Sequence, residues 1–401
     1  MRRIKVVSIN LGPYGSTGKI MLEIHKMVKH QGSDSKMIIP YSGEELFDST
    51  DYYVLGNAKT KKLNAYSCVL TGLDGCFAWF TTKKLISFLK RQKIDLLHLH
   101  NIHYSYINLP QLFRFIKKNN ISTIWTLHDC WSFTGHCPHF MYEECNKWQT
   151  GCHHCPRYKM YPKSIYDNSK FMWKLKKKWF TGVGNLTIVT PSQWLADLVK
   201  QSYLKDYPVR VIHNGINLSI FKPAESNFRE KHHIQDKKIV LGVAFGWGER
   251  KGLDVFVELS KRLPPDYQIV LVGTDKHIDE QLPQNIISIH RTHNQTELAE
   301  IYTAVDVFVN PTREDNFPTV NMEALACATP VITFKTGGSP EMIDETCGIS
   351  VEKDDVDELE KQILYVCETH PFSSMACTER AKTFDMHDRF AEYIALYKEL
   401  L

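Results

Sequence analysis

Long apolar runs are missing from this 401-residue sequence: nothing approaches the roughly 18 residues that cross a membrane. Its opening, MRRIKVVSINLG, breaks at Asn10 and Gly12 and has no small-residue cleavage site, so it does not read as a secretory leader. A cytoplasmic protein is expected. An excess of charge is missing too, since a formal net charge of +4 is too small to imply nucleic acid. There is no internal repeat and no low-complexity tract. The eleven cysteines are odd in number and lack a leader to accompany them, which argues against a disulfide framework and for free thiols or metal. With 43% apolar and 23% charged residues, what remains is an ordinary globular composition long enough for two or three domains.

Short apolar runs alternate with longer helical patterns, the rhythm of an α/β fold with parallel strands. Strands are expected at 4–9, 35–39, 95–99, 121–127 and 186–189. A second series is expected at 209–212, 239–243, 267–272, 286–289, 305–309 and 330–334. Two series in tandem predict two Rossmann-like domains, 1–205 and 206–384, with the boundary near 203–208. The tail, 385–401, reads as an amphipathic helix with Phe390, Ile394, Tyr397 and Leu401 on one face, crossing back to the first domain.

The most informative stretch is NPTREDNFPTVNMEALACATP, from Asn310 to Pro330. A buried strand ends at Val309, and Pro318 is placed at the first helical position. The amides of that first turn carry the positive end of a helix dipole and suit a phosphate. Glu323 one turn in, with Glu314 or Asp315 just before the helix, can accept from hydroxyls flanking a diphosphate. That describes a nucleotide-sugar site.

Other clusters agree in chemistry. After the first strand, NLGPYGSTGKI carries Gly12, Gly15 and Gly18, which let a backbone approach an anion closely. It is not a Walker loop, because Pro13 and Ile20 occupy the wrong places, nor does it match G-x-G-x-x-G. His100, His128 and Asp129 stand at the carboxyl ends of strands, where ligands of open α/β sheets collect. His128 suits a sugar hydroxyl, whereas His98 and His103 read as structural. In GVAFGWGERKGLDVF, Arg250 and Lys251 precede a helix and can neutralise a departing diphosphate.

Two segments keep more than one reading. Cys137, Cys145, Cys152 and Cys155, with one close pair, make a plausible structural zinc set, reduced thiols or disulfides. The segment KFMWKLKKKWF puts Phe171, Met172, Leu175 and Trp179 on one helical face, opposite Lys170, Lys174, Lys177 and Lys178. It either packs that face on the sheet or rests on an anionic lipid surface.

Together these residues resemble the retaining glycosyltransferases of family 4, which have the GT-B fold, two Rossmann-like domains with parallel sheets facing across a cleft. The likeness rests on the glycine-rich first loop, His128, VIHNGINLSIFKP, Lys251-Gly252 and an acid-x7-Glu motif met by Asp315 and Glu323. Asp315 departs from the usual Glu, Phe245 stands where many members have an arginine, and Asn217 replaces an Asp. The run WTLHDCWSFTGHCPHF, with the cysteines after it, is similar to the colanic-acid, capsule and O-antigen subgroup.

The resemblance implies a hexosyltransferase-type enzyme that moves a sugar from a nucleotide-sugar donor to a growing, lipid-linked bacterial surface polysaccharide. The setting would be the inner face of the cytoplasmic membrane, with peripheral contact, no nucleic acid and no cofactor required for catalysis. Implied roles are ribose binding for Glu323, sugar binding for Asp315 with Glu314 in reserve, and sugar or phosphate binding for Phe317, Pro318, Thr319 and Val320. Lys251 and Arg250 would meet the diphosphate, Gly15 and Ser16 would close over it, and His128 would bind a sugar hydroxyl. The competing readings are a sugar-nucleotide epimerase of the same fold and a non-catalytic zinc-bearing assembly subunit.

Overall fold

The computed structural model describes residues 3–41 and 51–401, leaving Met1 and Arg2 of the opening segment outside. Thirteen strands are described: β1 (Lys5–Ile9), β2 (Asp34–Pro40), β3 (Tyr52–Leu55), β4 (Leu96–Leu99), β5 (Ser122–Thr126), β6 (Leu186–Thr190) and β7 (Val209–Val211) come first. They are followed by β8 (Lys238–Val243), β9 (Tyr267–Val272), β10 (Ile286–Ile289), β11 (Val307–Asn310), β12 (Val331–Phe334) and β13 (Gly348–Val351). The strands form two wholly parallel sheets, ordered β3-β2-β1-β4-β5-β6-β7 and β10-β9-β8-β11-β12-β13. Each sheet starts at an inner strand, winds one way and then reverses. The reversals fall between β1 and β4 and between β8 and β11, where such sheets bind ligands.

Sequence composition explains why these strands lie in the middle. Parallel strands covered by helices on both faces must be apolar throughout, and every residue of β4, β6, β11 and β12 is buried. The chain divides into two compact units, 3–212 with Phe390–Leu401, and His213–Arg389. The strand at 209–212, expected to head the second series, is instead β7, paired with β6 at the edge of the first sheet. The two short edge strands β3 and β13 were not foreseen.

The final helix, Met386–Glu399, enters the first unit from Phe390 onward. Phe390, Ile394 and Tyr397 are buried as their spacing predicts, while Leu401 lies beyond the helix end and is exposed. The basic helix Ser169–Phe180 packs a different face from the expected one. Met172, Trp173, Lys176 and Phe180 are buried, and Phe171 faces solvent. Lys176 can be inside because its ammonium donates to the carbonyls of Trp131 (2.8 Å) and Thr134 (3.2 Å) and lies 3.4 Å from the centroid of the Trp131 ring. Burial pushes its pKa down to about 7.

Candidate active site

In the second unit the chain leaves β8 through an exposed Phe245 and Gly246, makes the turn Glu249–Lys251 and enters the helix Leu253–Arg262. Gly252, with φ of 75°, joins turn to helix, and a Cβ there would meet the Pro311 carbonyl at 2.5 Å. Only glycine lets the Lys-Gly turn lie against the exit of β11. Arg313 then staples the two loops together. Its amide donates to the Arg250 carbonyl (2.9 Å), and its guanidinium holds Asp254 with two bonds of 2.7 Å. The consequence is a rigid floor at the reversal of the sheet.

On that floor the Lys251 ammonium pairs with the Asp315 carboxylate, both partly exposed. Arg250 donates to the Glu314 carbonyl (3.0 Å), while Glu314 itself is buried. The helix Thr319–Ala326 starts one residue later than expected: Pro318, with ψ of 112°, is its N-cap. It has no acidic residue in its first turn, so the positive end of its dipole is not neutralised within the helix. Phe317 stacks on His213, ring centroids 4.8 Å apart, which fixes the approach to Pro318. Glu323, in the second turn, accepts from the buried Tyr302 hydroxyl (3.3 Å).

The loop after β12 packs against the loop of Asp315 and Asn316. After β12 the chain reads TGGS, Thr336 to Ser339. Gly338 donates to the Asn316 carbonyl (3.0 Å), and a Cβ on Gly337 would fall 1.7 Å from the Asp315 carbonyl. The Gly-Gly pair at the end of a buried strand was the available signal.

In the first unit β1 opens into the turn before the helix Gly15–His30. Gly15 has φ of 73°, and a Cβ on Gly18 would strike the Pro13 carbonyl carbon at 2.5 Å, so both glycines answer to backbone geometry. Gly15 and Ser16 are exposed in the helix's first turn. Asn10 holds the neighbouring strand end by accepting from the Asn101 amide (3.2 Å).

Beyond β4 and β5 stands a cluster of imidazoles. His98 Nδ1 lies 2.6 Å from the Tyr397 hydroxyl and Nε2 2.8 Å from the Thr126 hydroxyl, the structural role expected of it. His100 Nδ1 lies 3.0 Å from His128 Nε2. His100 Nε2 is buried with no hydrogen-bond partner among the described residues, and both rings line one pocket with Asn101, His103 and Asp129. His103 Nε2 meets the Asp129 carboxylate at 3.2 Å. Burial lowers His98 to about 3 and His128 to about 4, and it takes His100 well below the ordinary value, so all three are neutral at pH 7. Burial pushes Asp129 up, but the charge and hydrogen bond of His103 outweigh it and leave the carboxyl below its ordinary value. Neutral rings offer a lone pair and an N–H, the pair that a sugar hydroxyl uses.

The four cysteines line a second pocket in this unit, with Phe140 and Trp148. Cys137 donates to Cys155, and the Gly135 amide donates to Cys152 Sγ (3.1 Å). None of the eleven cysteines is in a disulfide. Among the described residues no three His, Cys, Asp or Glu side chains are grouped to hold a metal ion.

Two tandem parallel sheets in these strand orders match the GT-B fold. The chain belongs to the glycosyltransferases by its domains: residues 64–220 match the family model "Glycosyltransferase Family 4", and residues 237–369 match "Glycosyl transferases group 1". It is 24% identical over 362 residues to WcaC of Escherichia coli, named as a colanic acid biosynthesis glycosyl transferase, covering 88% of each chain. Sucrose-phosphate synthase from Thermosynechococcus elongatus superposes with a TM-score of 0.73 at 17% identity, covering 99% of both chains. The Anabaena protein HepE, solved with UDP-glucose, superposes at 0.67 and 14% identity, covering 98% of this chain and all of that one.

Proposed function

We propose that this glycosyltransferase works with retention of configuration, taking a sugar from a nucleotide diphosphate donor held by the second unit. The acceptor is a lipid-linked oligosaccharide of a bacterial surface polysaccharide, taken by the first unit. The observation that carries the donor half is the placement of Lys251, Asp315, Glu323 and a helix N-terminus with no acid in its first turn beside one sheet reversal. HepE with UDP-glucose and the colanic acid relative support the donor and product classes.

Glu323, steadied by Tyr302, accepts from the ribose hydroxyls, and the amides of Thr319 and Val320 take phosphate or sugar oxygens. Asp315 accepts from the transferred sugar. Its partly exposed carboxylate favours it over Glu314, whose side chain is buried. A bound diphosphate competes with Asp315 for the Lys251 ammonium, so donor binding frees the acid for the sugar. The C1–O bond to the phosphate breaks while the acceptor oxygen bonds C1 on the same face, and the acceptor proton passes to the departing phosphate oxygen. Lys251 and Arg250 stabilise the charge that grows there. In the first unit the neutral His128 binds a hydroxyl of the acceptor sugar.

Incubation with UDP-, GDP- and dTDP-sugars and a lipid-linked acceptor tests this reading. Transfer with the donor's anomeric configuration kept is expected. A new free sugar nucleotide formed from donor alone would make the protein an epimerase instead.

A further inference from the structure

Two helices of the first unit carry exposed stripes that the active site does not use. On the helix Ala58–Thr71, Lys59, Lys62, Leu63 and Tyr66 follow i, i+3, i+4, i+7 spacing, and all four are exposed. On the helix Trp79–Gln92, Phe80, Lys83, Lys84 and Ser87 repeat that spacing, again all exposed. The opposite face of the second helix is buried through Thr82, Leu85, Phe88 and Leu89, so its outward side is settled. Phe80 is 81% and Leu63 65% exposed, a high cost in water for side chains of that size unless something covers them.

The two stripes are held as neighbours. The Ala78 amide donates to Asn64 Oδ1 (3.3 Å), tying the middle of the first helix to the start of the second. Ala78 itself is a non-glycine residue at φ of 62°, a strained N-cap that projects Trp79 and Phe80 from the first turn. The local charge is one-sided. From Asn57 to Gln92 the one acidic residue is Asp74, which is buried and accepts from the Tyr104 and Ser105 amides. Lys59, Lys62, Lys83 and Lys84 form no ion pair among the described residues.

We infer that this surface docks the protein on an anionic lipid bilayer. Trp79, Phe80, Leu63 and Tyr66 enter the headgroup boundary while the lysines meet lipid phosphates. Aromatic side chains ringed by lysine suit that interface, because one end is apolar and the other is wet and charged. No helix of the described residues is long and apolar enough to span a membrane, so the contact is on the surface. The helix Ser169–Phe180, the other basic candidate, turns Met172, Trp173 and Phe180 inward. The inference deepens the reading of a lipid-linked acceptor and rests on it for its purpose.

Cosedimentation of the full chain with phosphatidylcholine vesicles, with and without phosphatidylglycerol, tests it. Binding is expected with the mixed vesicles alone and should weaken with salt. The double variant Trp79→Ser/Phe80→Ser should lose it, and Lys62→Glu or Lys83→Glu should weaken it by about fivefold or more each. A UDP- or GDP-induced thermal shift should be unchanged in these variants. Failure of that shift in the wild type would sink the donor reading and leave the vesicle result standing. Absence of binding to anionic vesicles, or equal binding by the double variant, overturns the surface. So does a concentration-dependent dimer abolished by the double variant in a protein that ignores vesicles.

Discussion

Both units gather polar residues at the carboxyl ends of their inner strands, yet they equip that place in opposite ways. At the end of β4 and β5 the first unit buries neutral imidazoles, whose charge burial has removed. At the end of β8 and β11 the second unit keeps a lysine and an aspartate partly exposed and paired with each other. A neutral ring is suited to choosing among hydroxyls, and a partly exposed cation at the loop before a helix is suited to a diphosphate. On the proposed reading, architecture sets where a ligand goes, while local burial sets which ligand it is.

Substitutions can break this contrast at its charged end. Glu323→Ala should reduce transfer by about a thousandfold with the fold intact, since a loss of ribose and phosphate orientation acts on the bound geometry. Circular dichroism beside the turnover assay separates this from unfolding. Lys251→Ala should cost about a hundredfold, the scale for removing one donor that faces developing charge. Unchanged kcat/KM in Lys251→Ala would leave the ion pair with Asp315 a structural one.

The neutral end is tested by pH. For His98, His100 and His128 the folded values lie below the unfolded value of about 6.5. The unfolded chain therefore takes up protons first as pH falls, and stability present above pH 6.5 is lost towards pH 4. Melting of the first unit should drop by on the order of 10 °C across that window. A flat melting profile there would mean that the rings are solvated. The smallest effect belongs to Tyr397→Phe, which strips His98 Nδ1 of its partner and should cost about 1–3 kcal/mol in denaturant unfolding. Nucleotide binding should be untouched.

How far the sequence reached depended on the strength of each local pattern. Inner strands such as β8, β9 and β11 were legible because burial on both faces writes them as unbroken apolar runs. The edge strands β3, YYVL, and β13, GISV, are short and half-exposed, and they leave little periodicity to read. The unit boundary slid because β7 joins the first sheet by pairing, which hydrophobic pattern does not record. Lys176 ran against the rule that lysines stay outside. Its place depends on carbonyls from Trp131 and Thr134, far off in sequence.

The placement of the candidate residues was legible to a similar depth. Asp315, Glu323 and Lys251 could be picked from spacing after strands, and the structure sets them at a sheet reversal. Spacing alone does not record that Glu314 is buried while Asp315 is partly exposed, nor that Gly337 and Gly338 pack on the loop of Asp315 and Asn316.

The central claim is that the reversal of the second sheet holds a nucleotide diphosphate. Its most direct test is calorimetric titration of UDP, GDP and dTDP, and their sugars, into the wild type, Glu323→Ala and Lys251→Ala. The account predicts saturable binding of one nucleotide class by the wild type, weakened at least about tenfold in each variant. Binding that is equal in all three proteins, or that no nucleotide shows, would contradict it.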